Sequence, residues 1–73
     1  MKDNIKKILN EYNFNNEREA EIRFKEKVVF HINKNEFNNA QVFNDKLLIL
    51  NSNNYEANRD KAFIKYHLND FQK

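Results

Sequence analysis

A chain of 73 residues with a formal charge of +2 has room for one small domain, residues 1–73, near the lower size limit for unaided folding. Cysteine, glycine and proline are absent, which excludes disulfides, thiolate metal sites and glycine-rich phosphate loops. No apolar run approaches the ~20 residues of a membrane span, and the N-terminus lacks the apolar segment of a signal peptide, so we expect a cytoplasmic protein. Abundant Asn, Lys, Ile and Phe, with A/T-rich codons, indicate a low-GC genome, such as that of a bacterium or its phage.

The first predicted element is a helix from Asn4 to Tyr12. Asp3 is a suitable N-cap, and the next apolar residues follow the i, i+3, i+4, i+7 spacing of an amphipathic helix. These residues are Ile5, Ile8, Leu9 and Tyr12. The segment 13–16 is rich in Asn, which can take the left-handed conformation that ends a helix.

The stretch from Ala20 to Ile32 alternates apolar and charged residues, which is typical of a β-strand with one buried face. Thirteen residues are long for one strand, so a three-residue loop at Lys25–Lys27 is expected to make a hairpin. That register pairs Phe24 with Val28 and keeps the apolar side chains on one face. A single bent strand is the alternative.

Residues Ala40–Leu50 allow two interpretations. In a helix, six apolar residues share one broad face: Phe37, Ala40, Phe43, Leu47, Leu48 and Leu50. In the second interpretation, strands at Gln41–Phe43 and Lys46–Leu50 flank a turn at Asn44–Asp45. Asn and Asp are unfavourable inside helices and common in turns, which favours strands.

The last predicted element is a helix from Tyr55 to Phe71, with Asn53 and Glu56 spaced as in a capping box. One apolar stripe of this helix is predicted to face the core: Ala57, Ile64, Leu68 and Phe71. Tyr55, Ala62 and Tyr66 form a second stripe on the opposite side.

Together these elements predict an α+β fold, in which a small antiparallel sheet of three to four strands is covered on one face by an N-terminal and a C-terminal helix. The element order is similar to that of double-stranded-RNA-binding domains. The chain lacks that family's glycine- and proline-containing strand loop, and the basic run of the last helix is reduced to Arg59 and Lys61. We therefore assign no family from the sequence.

No group of residues in the sequence predicts catalysis. Ser52 is the sole serine and has no glycine turn around it. His31 and His67 lack metal-ligand spacing, and we expect both to be exposed without a special role. We predict that the protein is not an enzyme and has no catalytic residue, cofactor or metal.

Binding is the predicted class of function. The exposed aromatic residues of the last helix predict a protein-binding module, an accessory or inhibitor protein of a phage or mobile element that occupies a partner surface. A host protein is the expected partner, host nucleic-acid machinery among the candidates. The predicted partner-binding residues are Tyr55, Arg59, Ala62, Phe63 and Tyr66.

Two alternatives stay open. The first is a nucleic-acid-binding domain that uses the basic strand face or the last helix. Its predicted residues are Arg23, Lys25, Lys27, Lys61 and Lys65. The second is a structural homodimer, in which the exposed stripe of the last helix is the dimer contact.

Overall fold

The computed structural model describes the backbone of residues 2–71 and the side chains of residues 3–69. It contains four helices: α1 (Lys2–Tyr12), α2 (Glu17–Asn33), α3 (Phe37–Leu50) and α4 (Tyr55–Phe71). Residues 2–71 include no strand, so the predicted α+β fold is wrong and the protein is a small all-helical bundle. The predicted helices at the two ends are present; the sheet between them is replaced by two further helices.

The helix α3 lies at the centre of the bundle. It packs most extensively against α2 and then against α4, whereas α1 makes light contacts with α2 and α3. The helices α2 and α4 run in the same direction on α3, because Ile22 lies near Asn54 and Glu56, whereas Ile32, further along α2, lies near Phe63. The molecule is elongated, with extents of 39 × 21 × 18 Å. One apolar cluster forms the core: Ile8, Ala20, Phe24, Val28, Phe37, Ala40, Leu47, Leu50, Ala57 and Ile64.

The predicted hairpin at residues 20–32 is instead the body of α2. Its start is capped by Asn16, whose side-chain oxygen accepts a hydrogen bond from the Glu19 backbone N–H at 2.9 Å. The helix buries an i, i+4, i+8 stripe of Ala20, Phe24 and Val28. Helix-favouring charged residues fill the intervening positions, and no turn-forming residue breaks the segment. The alternating pattern therefore does not reflect a buried sheet face, because two of its members, Ile22 and Phe30, remain about half exposed.

The predicted strands at residues 40–50 are also wrong, since this segment belongs to α3. Asn44, which was assigned to a turn, is 1% exposed and donates a 2.9 Å hydrogen bond from Nδ2 to the backbone carbonyl of Ala57 in α4. Its Oδ1 is buried and has no hydrogen-bond partner. A tertiary hydrogen bond thus offsets the low helix propensity of Asn, and the helical alternative for this segment is confirmed.

Asparagine replaces glycine where two of the helices end. Asn13 and Asn35 both have φ of 60°, in the left-handed region. At the end of α2, the Glu36 N–H donates to the His31 carbonyl and the Asn35 N–H donates to the Ile32 carbonyl, which is a Schellman motif. The end of α1 has the same pattern around Asn13, as the sequence predicts.

The start of α4 differs slightly from the prediction. Asn54, rather than Asn53, accepts the capping hydrogen bond, from the Ala57 backbone N–H at 3.0 Å. The predicted inward stripe of α4 is confirmed for Ala57 and Ile64, which are buried, and for Leu68, which is partly buried. The side chain of the fourth member, Phe71, lies outside the described residues.

Candidate binding surfaces on the two flanks of α2

A groove runs between α2 and α4, which both pack on α3 but make little direct contact with each other. Its first section has a volume of about 310 Å³, and an adjoining section has a volume of about 300 Å³. We call these two sections together the α2–α4 groove. The first section is lined by Lys25, Val29, Ile32, Arg59, Asp60 and Phe63. The adjoining section is lined by Glu21, Ile22, Lys25, Glu26, Asn54 and Glu56.

The apolar floor of the α2–α4 groove comes from both helices. On α2, Ile22, Val29 and Ile32 share one side of the helix because they are spaced by seven and three residues. Phe63 reaches the groove from α4. Ile22 is 50% exposed, Val29 42% and Phe63 44%. These side chains therefore form an open apolar strip instead of completing the core.

A lysine bridges the two helices between the sections of the groove. Lys25 Nζ lies 3.0 Å from Glu56 Oε2 and 3.4 Å from Asp60 Oδ2. By donating a hydrogen bond and by Coulombic attraction, Lys25 lowers the pKa of the Glu56 carboxyl below its ordinary value of 4.5. Arg59 adds a weaker attraction to Glu56 and lies 3.7 Å from Asp60. The cations of the groove are thus already paired with carboxylates.

The groove is acidic around its apolar floor. Its lining contains four carboxylates and two cations. The carboxylates are Glu21, Glu26, Glu56 and Asp60, and the cations are Lys25 and Arg59. Arg23, outside the lining, pairs with Glu26 at 3.1 Å, so the groove keeps a net excess of one carboxylate, which favours a cationic occupant.

The opposite flank of α2 carries aromatic rings and lysines. Rings from three helices form a continuous series, with centroid separations of 5.1 Å (Tyr12–Phe24), 6.1 Å (Phe24–Phe43), 5.6 Å (Phe43–His31) and 5.2 Å (His31–Phe30). Three lysines lie over members of this series. We define the lysine–ring face as Tyr12, Lys27, Phe30, His31, Lys34, Phe43 and Lys46.

The predicted partner-binding residues all lie on α4, but they do not form one site. Phe63 and Arg59 line the α2–α4 groove. Tyr55, Ala62 and Tyr66 are exposed on the side of α4 that faces away from the core. The predicted exposure is confirmed for Tyr55, Ala62, Phe63 and Tyr66. Their role in binding stays a prediction.

The predicted nucleic-acid residues are divided among three surfaces. Lys25 lies in the groove and is bound to carboxylates. Lys61 and Lys65 lie on the exposed side of α4. Arg23 and Lys27 lie on the other flank of α2, where a shallow concavity joins them to Phe30. The predicted basic face of one β-strand therefore does not exist.

Sequence reasoning missed the α2 half of the groove and most of the lysine–ring face. The strand interpretation assigned Ile22 and Ile32 to a buried sheet face and left Val29 among the outward positions. The spacing of Ile22, Val29 and Ile32 indicates one face of a helix. Asn16 followed by Glu19 three residues later is typical of a helix start. Neither signal could identify the facing residue on α4, because that depends on tertiary packing.

Both histidines are half buried, so the prediction that they are exposed is wrong. The His31 ring stacks on Phe43, and its Nδ1 lies 2.8 Å from a Glu36 carboxylate oxygen. The His67 ring stacks on Phe37 at 4.5 Å. In residues 2–71 no group of three or more His, Cys, Asp or Glu side chains is arranged to hold a metal ion.

Comparison with known proteins gives no assignment. No family model, curated protein or solved structure matches the chain. Within the described part of the chain, none of the helices combines the length and apolar character needed to cross a bilayer.

Proposed function

We propose that the protein is a cytoplasmic protein-binding module that takes a basic amphipathic helix of a partner protein into the α2–α4 groove. The observation that supports this proposal is the open apolar strip of Ile22, Val29 and Phe63, bordered by an excess of carboxylates. An amphipathic helix inserts its apolar side chains into such a groove, and basic residues on its flanks meet the acidic border.

The charges of the groove argue against the other two predicted functions at this surface. Nucleic acid is disfavoured because Lys25 and Arg59 are already paired with Glu56 and Asp60. A symmetric homodimer through the groove would place two carboxylate-rich borders against each other, which is repulsive. A partner of opposite charge avoids both problems.

An origin in a phage or mobile element remains part of the proposal, on the basis of the amino-acid composition, which favours residues with A/T-rich codons. Such a module acts by occupying a partner surface. The outward stripe of α4, Tyr55, Ala62 and Tyr66, borders Arg59 and can extend the contact beyond the groove.

A designed peptide tests the proposal. The probe is a fluorescent amphipathic helix of about the length of the 17-residue α2, with leucine at i, i+3, i+4 and i+7 and lysine on both flanks. We expect saturable binding by fluorescence anisotropy. A peptide with glutamate in place of lysine should bind at least about tenfold more weakly.

Two variants provide a matched comparison. Val29→Asp places a charge in the groove, whereas Val42→Asp makes the same change at a similarly exposed valine on α3, outside the groove. Val29→Asp should weaken binding about tenfold or more, since one buried aliphatic side chain contributes ~1.5 kcal/mol. Equal affinity of the two variants, equal affinity for the two peptides, or no binding of the basic peptide would contradict the proposal.

A further inference from the structure

We propose that the lysine–ring face of the protein binds single-stranded nucleic acid. This surface lies on the flank of α2 opposite the α2–α4 groove, so the inference goes beyond the proposed function and does not depend on it. It is formed by the end of α1, one side of α2 and part of α3.

Each of three lysines on this face lies over a different aromatic ring. Lys46 Nζ is 5.6 Å from the centroid of Tyr12, and Lys27 Nζ is 5.3 Å from that of Phe43. Lys34 Nζ is 4.6 Å from the centroid of Phe30. The pattern repeats along the face, so cationic and aromatic groups alternate at close range.

The three lysines are not neutralised by carboxylates. Among the side chains of residues 3–69, none of the ion pairs includes Lys27, Lys34 or Lys46. The carboxylates close to this face have other partners. Glu26 pairs with Arg23 at 3.1 Å, and Glu36 contacts His31 at 2.8 Å. The flank therefore carries available positive charge, in contrast to the acidic groove on the other side of α2.

Phe30 is the most accessible ring of this face. It is 52% exposed and lines a concavity of 420 Å³ together with Arg23, Glu26, Lys27 and His31. An exposed ring of this kind can stack with a nucleobase, and the neighbouring cations can contact the phosphates on either side of it.

Single-stranded nucleic acid is the polyanion that uses both features. An acidic peptide would pair with the lysines but would leave the rings without a matching group. A duplex would present phosphates but hide the faces of its bases. Only an unpaired strand offers phosphates to the lysines together with a free base face for the exposed Phe30 ring.

The probe is a fluorescein-labelled oligothymidylate of about 12 nucleotides, measured by anisotropy from low to physiological salt. We expect binding whose logarithmic salt slope is about −2, from about −0.7 for each of three phosphate contacts to a single strand. A duplex of the same length and a poly-glutamate peptide of equal charge should bind more weakly.

Variants separate stacking from charge. Phe30→Ala should weaken binding of the oligonucleotide by about 5- to 100-fold, which corresponds to the loss of one base–aromatic stack. Tyr66→Ala, which removes another exposed ring on α4, is the matched control and should bind as the unmodified chain does. Lys34→Gln should reduce the magnitude of the salt slope by about 0.7, whereas Lys61→Gln should not change it.

Three results would overturn the inference. The first is no binding of the oligonucleotide at low salt. The second is equal weakening by Phe30→Ala and Tyr66→Ala, which would remove the role of the ring. The third is binding of the duplex or the poly-glutamate peptide as tightly as the single strand, which would indicate a surface that recognises negative charge alone. Circular dichroism of each variant verifies that the exposed substitutions leave the helices folded.

Discussion

The substitution Phe24→Ala tests the fold most directly, and Phe30→Ala is its matched comparison. Phe24 is 0% exposed and contacts three rings, with centroid distances of 5.1 Å to Tyr12, 5.4 Å to Phe14 and 6.1 Å to Phe43. Phe30 lies six residues further along α2 and is 52% exposed. In the sheet that the alternating pattern predicts, both rings would lie on the same buried face.

The two substitutions should therefore differ greatly in their effect on stability. Truncating a buried Phe to Ala typically lowers the free energy of unfolding by about 3–5 kcal/mol. A domain of 73 residues has a total of roughly 4–11 kcal/mol, at about 0.05–0.15 per residue, so Phe24→Ala removes much of it. For Phe30→Ala, the modest loss of apolar contact is offset by the higher helix propensity of Ala, and we expect a change of less than about 1 kcal/mol.

Urea unfolding followed by circular dichroism at neutral pH measures both values. Because Phe24→Ala leaves little stability, Phe24→Leu provides a second point, with an expected loss of about 1–2 kcal/mol from weakened ring pairing and incomplete filling. Equal losses for Phe24→Ala and Phe30→Ala would refute the helical burial of α2.

Three further predictions concern polar groups. Asn35→Gly should raise the free energy of unfolding by about 0.5 kcal/mol and Asn35→Ala should lower it by about 1 kcal/mol, because φ is 60° at this position; thermal melts that rank Ala above Gly would contradict this. Asn44→Asp should destabilise the protein by about 3 kcal/mol or more at pH 7, because it buries a carboxylate beside a carbonyl. Burial raises the pKa of the new carboxyl, so it becomes protonated at acid pH and the loss of stability should diminish there. Urea midpoints of the variant that do not change with pH would contradict this prediction. Lys25→Met should return the pKa of Glu56 towards its ordinary value of 4.5 in an NMR titration. Because the pKa of Glu56 is lower in the folded than in the unfolded protein, its ionised form stabilises the fold above pH 4.5, and this contribution is lost as the pH falls through the folded pKa. Lys25→Met should therefore lose less stability than the unmodified chain over that pH range. An unchanged Glu56 titration would refute the Lys25 contact.

The end helices could be predicted because their local signals agree. In α1, the apolar spacing and the Asn-rich segment after Tyr12 indicate the same helix, and Asn13 takes the left-handed conformation as predicted. In α4, the stripe of Ala57 and Ile64 is the buried one. The exposed aromatic residues of this helix followed from the same pattern.

The two central helices could not be predicted from local patterns because their signals conflict. The α2 sequence fits the period-two pattern of a strand and also contains the helical i, i+4, i+8 stripe of Ala20, Phe24 and Val28. Which of these two patterns is buried depends on the elements that pack against the segment. In α3, the presence of Asn44 disfavoured a helix. The hydrogen bond that stabilises Asn44 inside this helix is accepted by the carbonyl of Ala57, 13 residues further along the chain. The α2–α4 groove depends on both helices, so it could not be derived before their packing was known.

The position of Asn44 affects the α2–α4 groove. The Asn44 amide aligns α3 with α4. A shift of α4 by one turn would move the Ala57 carbonyl by about 5.4 Å and leave the buried Nδ2 donor without an acceptor. The position of α4 beside α2 thus depends on α3, which packs against both helices, and on the direct contacts of Lys25 with Glu56 and Asp60. The Asn44 amide thus contributes to which α2 side chain lies opposite Phe63, and we expect a change at residue 44 to alter the shape of the groove without changing any residue that lines it.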